Sequence, residues 1–499
     1  MTRSEAARLS VPALALLWVM GACIVVTEEA TAGGGGNRAS SLSELVREGA
    51  WREVRSNLSR FHWRKTHPLV VVTVWAWLGP KDSRKLARLV GGDGASGLAV
   101  LDALSEGRGR EVAPKIRRIR DARWRKTLWD VFAWYLGDYA PLEGEVRCVP
   151  APSDGEAVWC ATIHNARAEY RQTLALWERV DGEGRAMDAV VSDGLVARSV
   201  AAAVALGLYA RAQSIVRNAR RRFGDSGTLR RMESWLRGLQ GDTLGEARLL
   251  ETLAASMPDA TLELQRASAA IDRGAEEEAR AIVRKLVREI RDVDTLARAG
   301  ALSLLLQDTR TAAVAERRLQ DRGRNLAEYP AVAAFLAWRA SGKGEWWRAR
   351  KLLDGVRGHG RAEELVYDSA LRSCPVEPFA KAGCLGCVMG SYLRQWPASA
   401  EILEEVAVLL RKMGDPRSAN EAERLAGRLR RGRRQGKDVG GVEEQARKIA
   451  ERLVPRWAKS PVDCIYFDNR MYGGGPGPVR AGGRAFRSGA DGGSTEARH

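Results

Sequence analysis

The residues of this chain best suited to chemistry beyond packing are its cysteines. Seven occur among 499 residues, Cys23, Cys148, Cys160, Cys374, Cys384, Cys387 and Cys464, against five histidines. In "CPVEPFAKAGCLGC" (374–387), Cys384 and Cys387 have the C-x-x-C spacing that serves a zinc knuckle, a redox pair or disulfides. Zinc would need two further ligands, which Cys374 and Cys464 could supply. Disulfides are the simpler reading: Cys374 with Cys384 or Cys387, and the remaining one with Cys464. In "GEVRCVPAPSDGEAVWCATI" (144–163), short apolar runs flank a turn-forming "PAPSDG". That pattern predicts a β-hairpin centred near Asp154, with Cys148 facing Cys160 within disulfide reach.

Catalysis has little to work with. His62, His67, His164, His359 and His499 form no H-E-x-x-H pair, and the chain has no P-loop and no G-x-S-x-G. Glu404 and Glu405 lie among Leu and Val on a helical stretch, where a solvated face fits better than an acid/base pair. The expectation is a chain that is not an enzyme, with no cofactor, no bound metal and no small-molecule substrate.

The elements that hold these residues begin with an apparent leader. "MTRSEAARLS" carries two arginines, and "VPALALLWVMGACIVV" (11–26) is apolar but short for a membrane span. Gly21 and Ala22 before Cys23 resemble the lipobox of bacterial lipoproteins, with Met20 where that family usually has Leu. The resemblance implies cleavage before Cys23 and acylation of its thiol. With Ile24 and Val25 following and no Asp, it implies sorting to the outer membrane, facing the periplasm. The rival is Ala30-Thr31-Ala32, an A-x-A site that would give a secreted or soluble periplasmic chain. Either way the chain is exported. Acylation or removal of Cys23 leaves six cysteines, an even number suited to an oxidising compartment.

Most of the chain is built from a recurring word. "GLYARA" (207–212), "GDTLGEA" (241–247, one residue longer), "GAEEEA" (274–279), "QDTRTA" (307–312), "GEWWRA" (344–349) and "GDPRSA" (414–419) start at intervals of 34, 33, 33, 37 and 70 residues. A degenerate copy, "AKAGCL" (380–385), falls in the long gap, and "GAWREV" (49–54) has the same shape. A left-handed Gly ends one helix, a short turn follows, and a small Ala lets the next helix cross close by. This pattern resembles the tetratricopeptide repeat, a helix-turn-helix unit of about 34 residues. The resemblance implies an all-α, right-handed solenoid with a concave groove.

The segments then divide as follows: a signal peptide over 1–22 and a flexible tether over 23–40; divergent helical repeats with the hairpin insertion over 41–190; tetratricopeptide-like repeats over 191–430. A C-terminal helix and extension occupy 431–472, and a disordered Gly-rich tail 473–499.

The formal charge of +18, with 80 Lys and Arg against 62 Asp and Glu, allows polyanion binding, most of all at "GRLRRGRRQGK" (427–437). An exported chain is not expected to meet nucleic acid, and a solvated Arg-rich exterior explains most of the charge. Trp346 and Trp347 are adjacent at a repeat turn, so at most one packs inside and the other faces a partner. The function expected is a scaffold that holds other envelope proteins in its groove, in a secretion, polysaccharide-export or motility assembly, with a lipid anchor in the membrane. The alternative is direct binding of an anionic glycan or lipid.

Overall fold

A computed structural model describes residues 42, 45–46, 50–78, 80–148, 154–182, 189–256, 259–354, 356, 364–374, 378–456, 458 and 461–465. Cys23, the leader, the tether and the Gly-rich tail lie outside the described residues. Before residue 190 come α1 (Trp51–Ser56), α2 (Pro68–Trp77), α3 (Pro80–Val90), α4 (Gly92–Ser105), α5 (Val112–Arg117), α6 (Ala122–Leu136), α7 (Ala140–Glu145), α8 (Asp154–Ala166) and α9 (Tyr170–Gly182). The repeat region holds α10 (Ala189–Ala205), α11 (Tyr209–Phe223), α12 (Gly227–Gln240), α13 (Thr243–Ser256), α14 (Ala260–Asp272), α15 (Glu276–Glu289), α16 (Val293–Leu305) and α17 (Thr309–Gln320). It continues with α18 (Pro330–Gly342), α19 (Trp346–Asp354), α20 (Glu364–Arg372), α21 (Pro378–Gln395), α22 (Ala400–Lys412) and α23 (Pro416–Gln435), before α24 (Val442–Leu453) and α25 (Pro461–Cys464). Among the described residues there is no strand, only one isolated antiparallel bridge between Leu208 and Asp438.

The recurring word marks the bends. Gly207, Gly241, Gly274, Gln307, Gly344 and Gly414 all have left-handed backbone. The next residue's N–H then reaches back five positions, as from Ala275 to the Ala270 carbonyl at 2.8 Å and from Glu345 to that of Ala340 at 2.9 Å. This closure satisfies carbonyls that a helix end leaves open. The small residues Ala212, Ala247, Ala279, Ala312, Ala349 and Ala419 are buried at the crossings. Helices accordingly pack in adjacent pairs: α10 with α11, α12 with α13, α14 with α15, α16 with α17, α18 with α19 and α22 with α23.

Arginines tie neighbouring units together. Arg222 of α11 donates to the Val180 and Asp181 carbonyls at the end of α9. Arg318 of α17 likewise reaches the Val287 and Ile290 carbonyls at the end of α15. These two arginines therefore complete helix C-termini.

Two expectations are corrected. The predicted β-hairpin is replaced by helix: from Asp154 the chain enters α8, and Ala157, Val158, Trp159, Cys160, Ala161 and Ile163 are buried. Two strands of three or four residues with no third to pair against make a marginal unit, whereas a helix here packs on α9 and α10. The second correction concerns 380–385, which lies inside α21 rather than at a bend. Its small residues belong to a helix packed closely on others. Farther along the same helix, a side-chain carbon at Gly390 would crowd Leu453, Val454 and the Ala450 carbonyl of α24.

The repeat row also comes back on itself. Val439 donates to the Gly207 carbonyl at 3.0 Å and Ala398 to that of Ala205 at 3.1 Å. Asp438 accepts from the Ala210 and Arg211 amides at the start of α11, at 2.8 and 3.2 Å. The N-terminal half is drawn in as well. Tyr170 donates to the Gln395 carbonyl, Tyr135 to Asp292, and Tyr329 to the Leu104 carbonyl at 2.9 Å. Helix α16 is buried on every face from Val293 to Ser303. Surface that an open solenoid offers to a partner is here partly taken by the chain's own N-terminal half.

Candidate functional site

The cysteines fall into three pairs at disulfide distance. Cys148, in the segment after α7, meets Cys160 within α8 at a Cα–Cα distance of 5.4 Å. Cys374 meets Cys384 at 5.7 Å, and Cys387 meets Cys464 at 5.5 Å. Each pair stands where the Gly-turn pattern fails. The first holds the connection from α7 to α8, the second closes the bend from α20 to α21, and the third binds short α25 onto α21. Among the described residues no three His, Cys, Asp or Glu side chains form a metal-ligating group.

Trp346 and Trp347 open α19, with relative exposures of 37% and 72%. The exposed site of Trp347 is three residues past the left-handed Gly344. In other units that place holds Glu277, Arg310 and Arg417, all exposed and charged. Its counterpart past Gly241 is Leu244, also exposed. Large apolar side chains thus replace charges at two of these turn positions.

Three of the six cations in the basic run are engaged. Arg430 pairs with Glu404, and Arg433 with Glu401 at 2.7 Å. Arg428 donates to the Gly440 carbonyl at 2.7 Å. Arg434, at the end of α23, is exposed and has no partner.

Where the first repeats meet the last, α12, α13, α14 and α23 enclose a cleft of about 250 Å³ lined by Trp235, Glu246, Asp272, Arg433 and Arg434 among others. Glu246 is in the first turn of α13, 5% exposed, and its carboxylate has no hydrogen-bond or ion-pair partner. It fits because Gly238 of α12 lacks a side chain: a carbon there would collide with the Glu246 carboxylate. Burial first, then the neighbouring Asp272, push Glu246 up to about 8. Asp272, at the end of α14, is exposed by surface area and lines the cleft, where crowding of its carboxyl pushes it up to about 7 against the pull of Arg433. Its solvent contact makes Glu246 the firmer case. The cleft thus holds two carboxyl groups without a bonded cation and one guanidinium, that of Arg434, without an anion.

Sequence reasoning singled out these cysteines and tryptophans, pairing Cys148 with Cys160 and leaving the partner of Cys374 open, but missed this cleft.

No protein-family model matches the chain, and no curated protein matches it. The class defined by its structure is an all-α, repeat-like array of helical hairpins with disulfide-capable cysteines. No described helix is long and apolar enough to cross a membrane.

Proposed function

We propose that the chain is a non-enzymatic scaffold of a bacterial cell-envelope assembly of the secretion, polysaccharide-export or motility type. In this reading its hairpins are tetratricopeptide-like and wind right-handed. It is exported, Cys23 carries the lipid anchor at the outer membrane, and the three cysteine pairs are oxidised. The observation that carries the scaffold role is Trp347, a large aromatic held in solvent at a turn position where three of the other five units carry a charge. Exposed tryptophan is a common anchor of protein interfaces. Because the N-terminal half already contacts the repeats through Leu104, Tyr135 and Tyr170, docking falls to the turn edge that bears Trp347, Trp346 and Leu244. Direct binding of an anionic glycan or lipid draws less support, since Arg428, Arg430 and Arg433 are already engaged.

The test is purification from gently solubilised envelope. The wild type should bring down a defined complex at fixed stoichiometry, and Trp346→Ala with Trp347→Ala should lose it without a change in melting temperature. A wild-type chain recovered alone, or a complex indifferent to both tryptophans, contradicts the scaffold reading. For the anchor, Cys23→Ala should abolish acyl labelling and release the chain from membranes.

A further inference from the structure

We propose that the cleft between α12, α13, α14 and α23 binds a small zwitterion of amino-acid size, its ammonium group held by Glu246 and Asp272 and its carboxylate by Arg434. This goes beyond the scaffold reading and does not depend on it. It also replaces the sequence expectation that the chain holds no small molecule.

The unmet charges are specific. Burying a carboxylate without a bonded cation or donor is unfavourable; Glu246 is 5% exposed with neither bonded to it, and the facing Arg273, bonded to Glu278, acts on it only through space. Its position is built in, because bare Gly238 leaves the space it fills. Arg433 is paired with Glu401 and does not neutralise it. Empty, the cleft keeps Glu246 protonated near neutrality, since its carboxyl is held at about 8. An entering ammonium group favours the ionised form, so binding releases a proton.

Other occupants fit less well. A divalent cation would share the cleft with the guanidinium groups of Arg433 and Arg434, and no three-residue metal group exists among the described residues. A polyanion meets two acids. The volume, about 250 Å³, lies just under the range of about 300–1,000 Å³ for drug-sized ligands, which suits a molecule with few heavy atoms. Arg434 supplies the anion-binding end, and the indole of Trp235 gives the cleft an apolar wall.

The experiment is titration calorimetry on the full chain at neutral pH with glycine, 4-aminobutyrate and 6-aminohexanoate. Hexylamine and hexanoate are the single-charge controls. At least one zwitterion should bind about tenfold or more tightly than either control, as expected for two charge-assisted contacts over one. Its apparent heat should vary with buffer ionisation enthalpy, reporting the released proton. Glu246→Gln should weaken binding about tenfold or more and reduce proton release to what Asp272 alone supplies. Arg434→Ala should bring the zwitterion down to the level of hexylamine. Thermal melts establish that both variants are folded. Failure of all three zwitterions to bind the wild type, equal binding of zwitterions and controls, or indifference to Glu246→Gln each overturns the proposal. Loss of the envelope complex in the tryptophan variants is a separate result and does not bear on it.

Discussion

Glu246 is an acid placed where ionisation is costly, and that has a measurable consequence even without a ligand. Its pKa is about 8 in the folded chain and about 4.3 when unfolded. Between those values the unfolded chain has lost the proton and the native chain has kept it. Stability therefore falls as pH rises through this window, by at most about 1.4 kcal/mol per unit, and levels off above it. The groups facing Glu246 are Asp272 and Asp242, which raise its pKa further, and Arg273, which opposes them. Asp272 in turn feels Arg433 and Glu401. Glu246→Gln should flatten the pH dependence of the denaturation midpoint and exceed the wild type at the alkaline end. Parallel curves for the two proteins would show that Glu246 is hydrated and ionised throughout. None of this was legible in the sequence, where one Glu among 62 acidic residues has no mark. What makes it unusual is a missing side chain eight positions earlier and a helix end from the next unit.

The elements were far more legible, because a helical bend needs a particular residue at a particular place. Five of the six left-handed positions are Gly, and their spacing alone located the bends. Gln307 is the exception, held at φ 57°. A non-Gly residue there is strained by about 1–2 kcal/mol, while Gly gains freedom in the unfolded chain. Gln307→Gly should thus stabilise by up to about 1 kcal/mol in chemical denaturation, and a loss of stability would contradict this assignment of strain. At the crossings, Ala279 is fully buried. Ala279→Trp should overpack the α14–α15 hairpin at about 1–3 kcal/mol or more, with loss of amide-exchange protection centred on adjacent units. Unchanged stability would mean that the crossing lies elsewhere. The two misread segments failed for physical reasons. Around Cys148 and Cys160 short apolar runs fit strand and helix alike, and packing against α9 and α10 decides it. In 380–385 the Ala and Gly that suggested a turn lie inside α21 instead.

At the scale of the whole molecule, closure was invisible in the sequence because it depends on contacts such as Tyr329 with Leu104 and Val439 with Gly207, more than two hundred residues apart. The cysteines connect that scale to the compartment. Each pair braces a place where the repeat pattern lapses, and an oxidised bridge typically contributes about 2–4 kcal/mol. In a reducing compartment those lapses would be left unbraced, so the account of an exported, stapled repeat scaffold rests on the bonds being formed. The most direct measurement is non-reducing peptide mapping of the chain taken from cells quenched with an alkylating agent. The account predicts three linked peptides, Cys148 with Cys160, Cys374 with Cys384 and Cys387 with Cys464, and no stoichiometric zinc. Free thiols at all six positions, or one zinc ion held by Cys374, Cys384, Cys387 and Cys464, would contradict it.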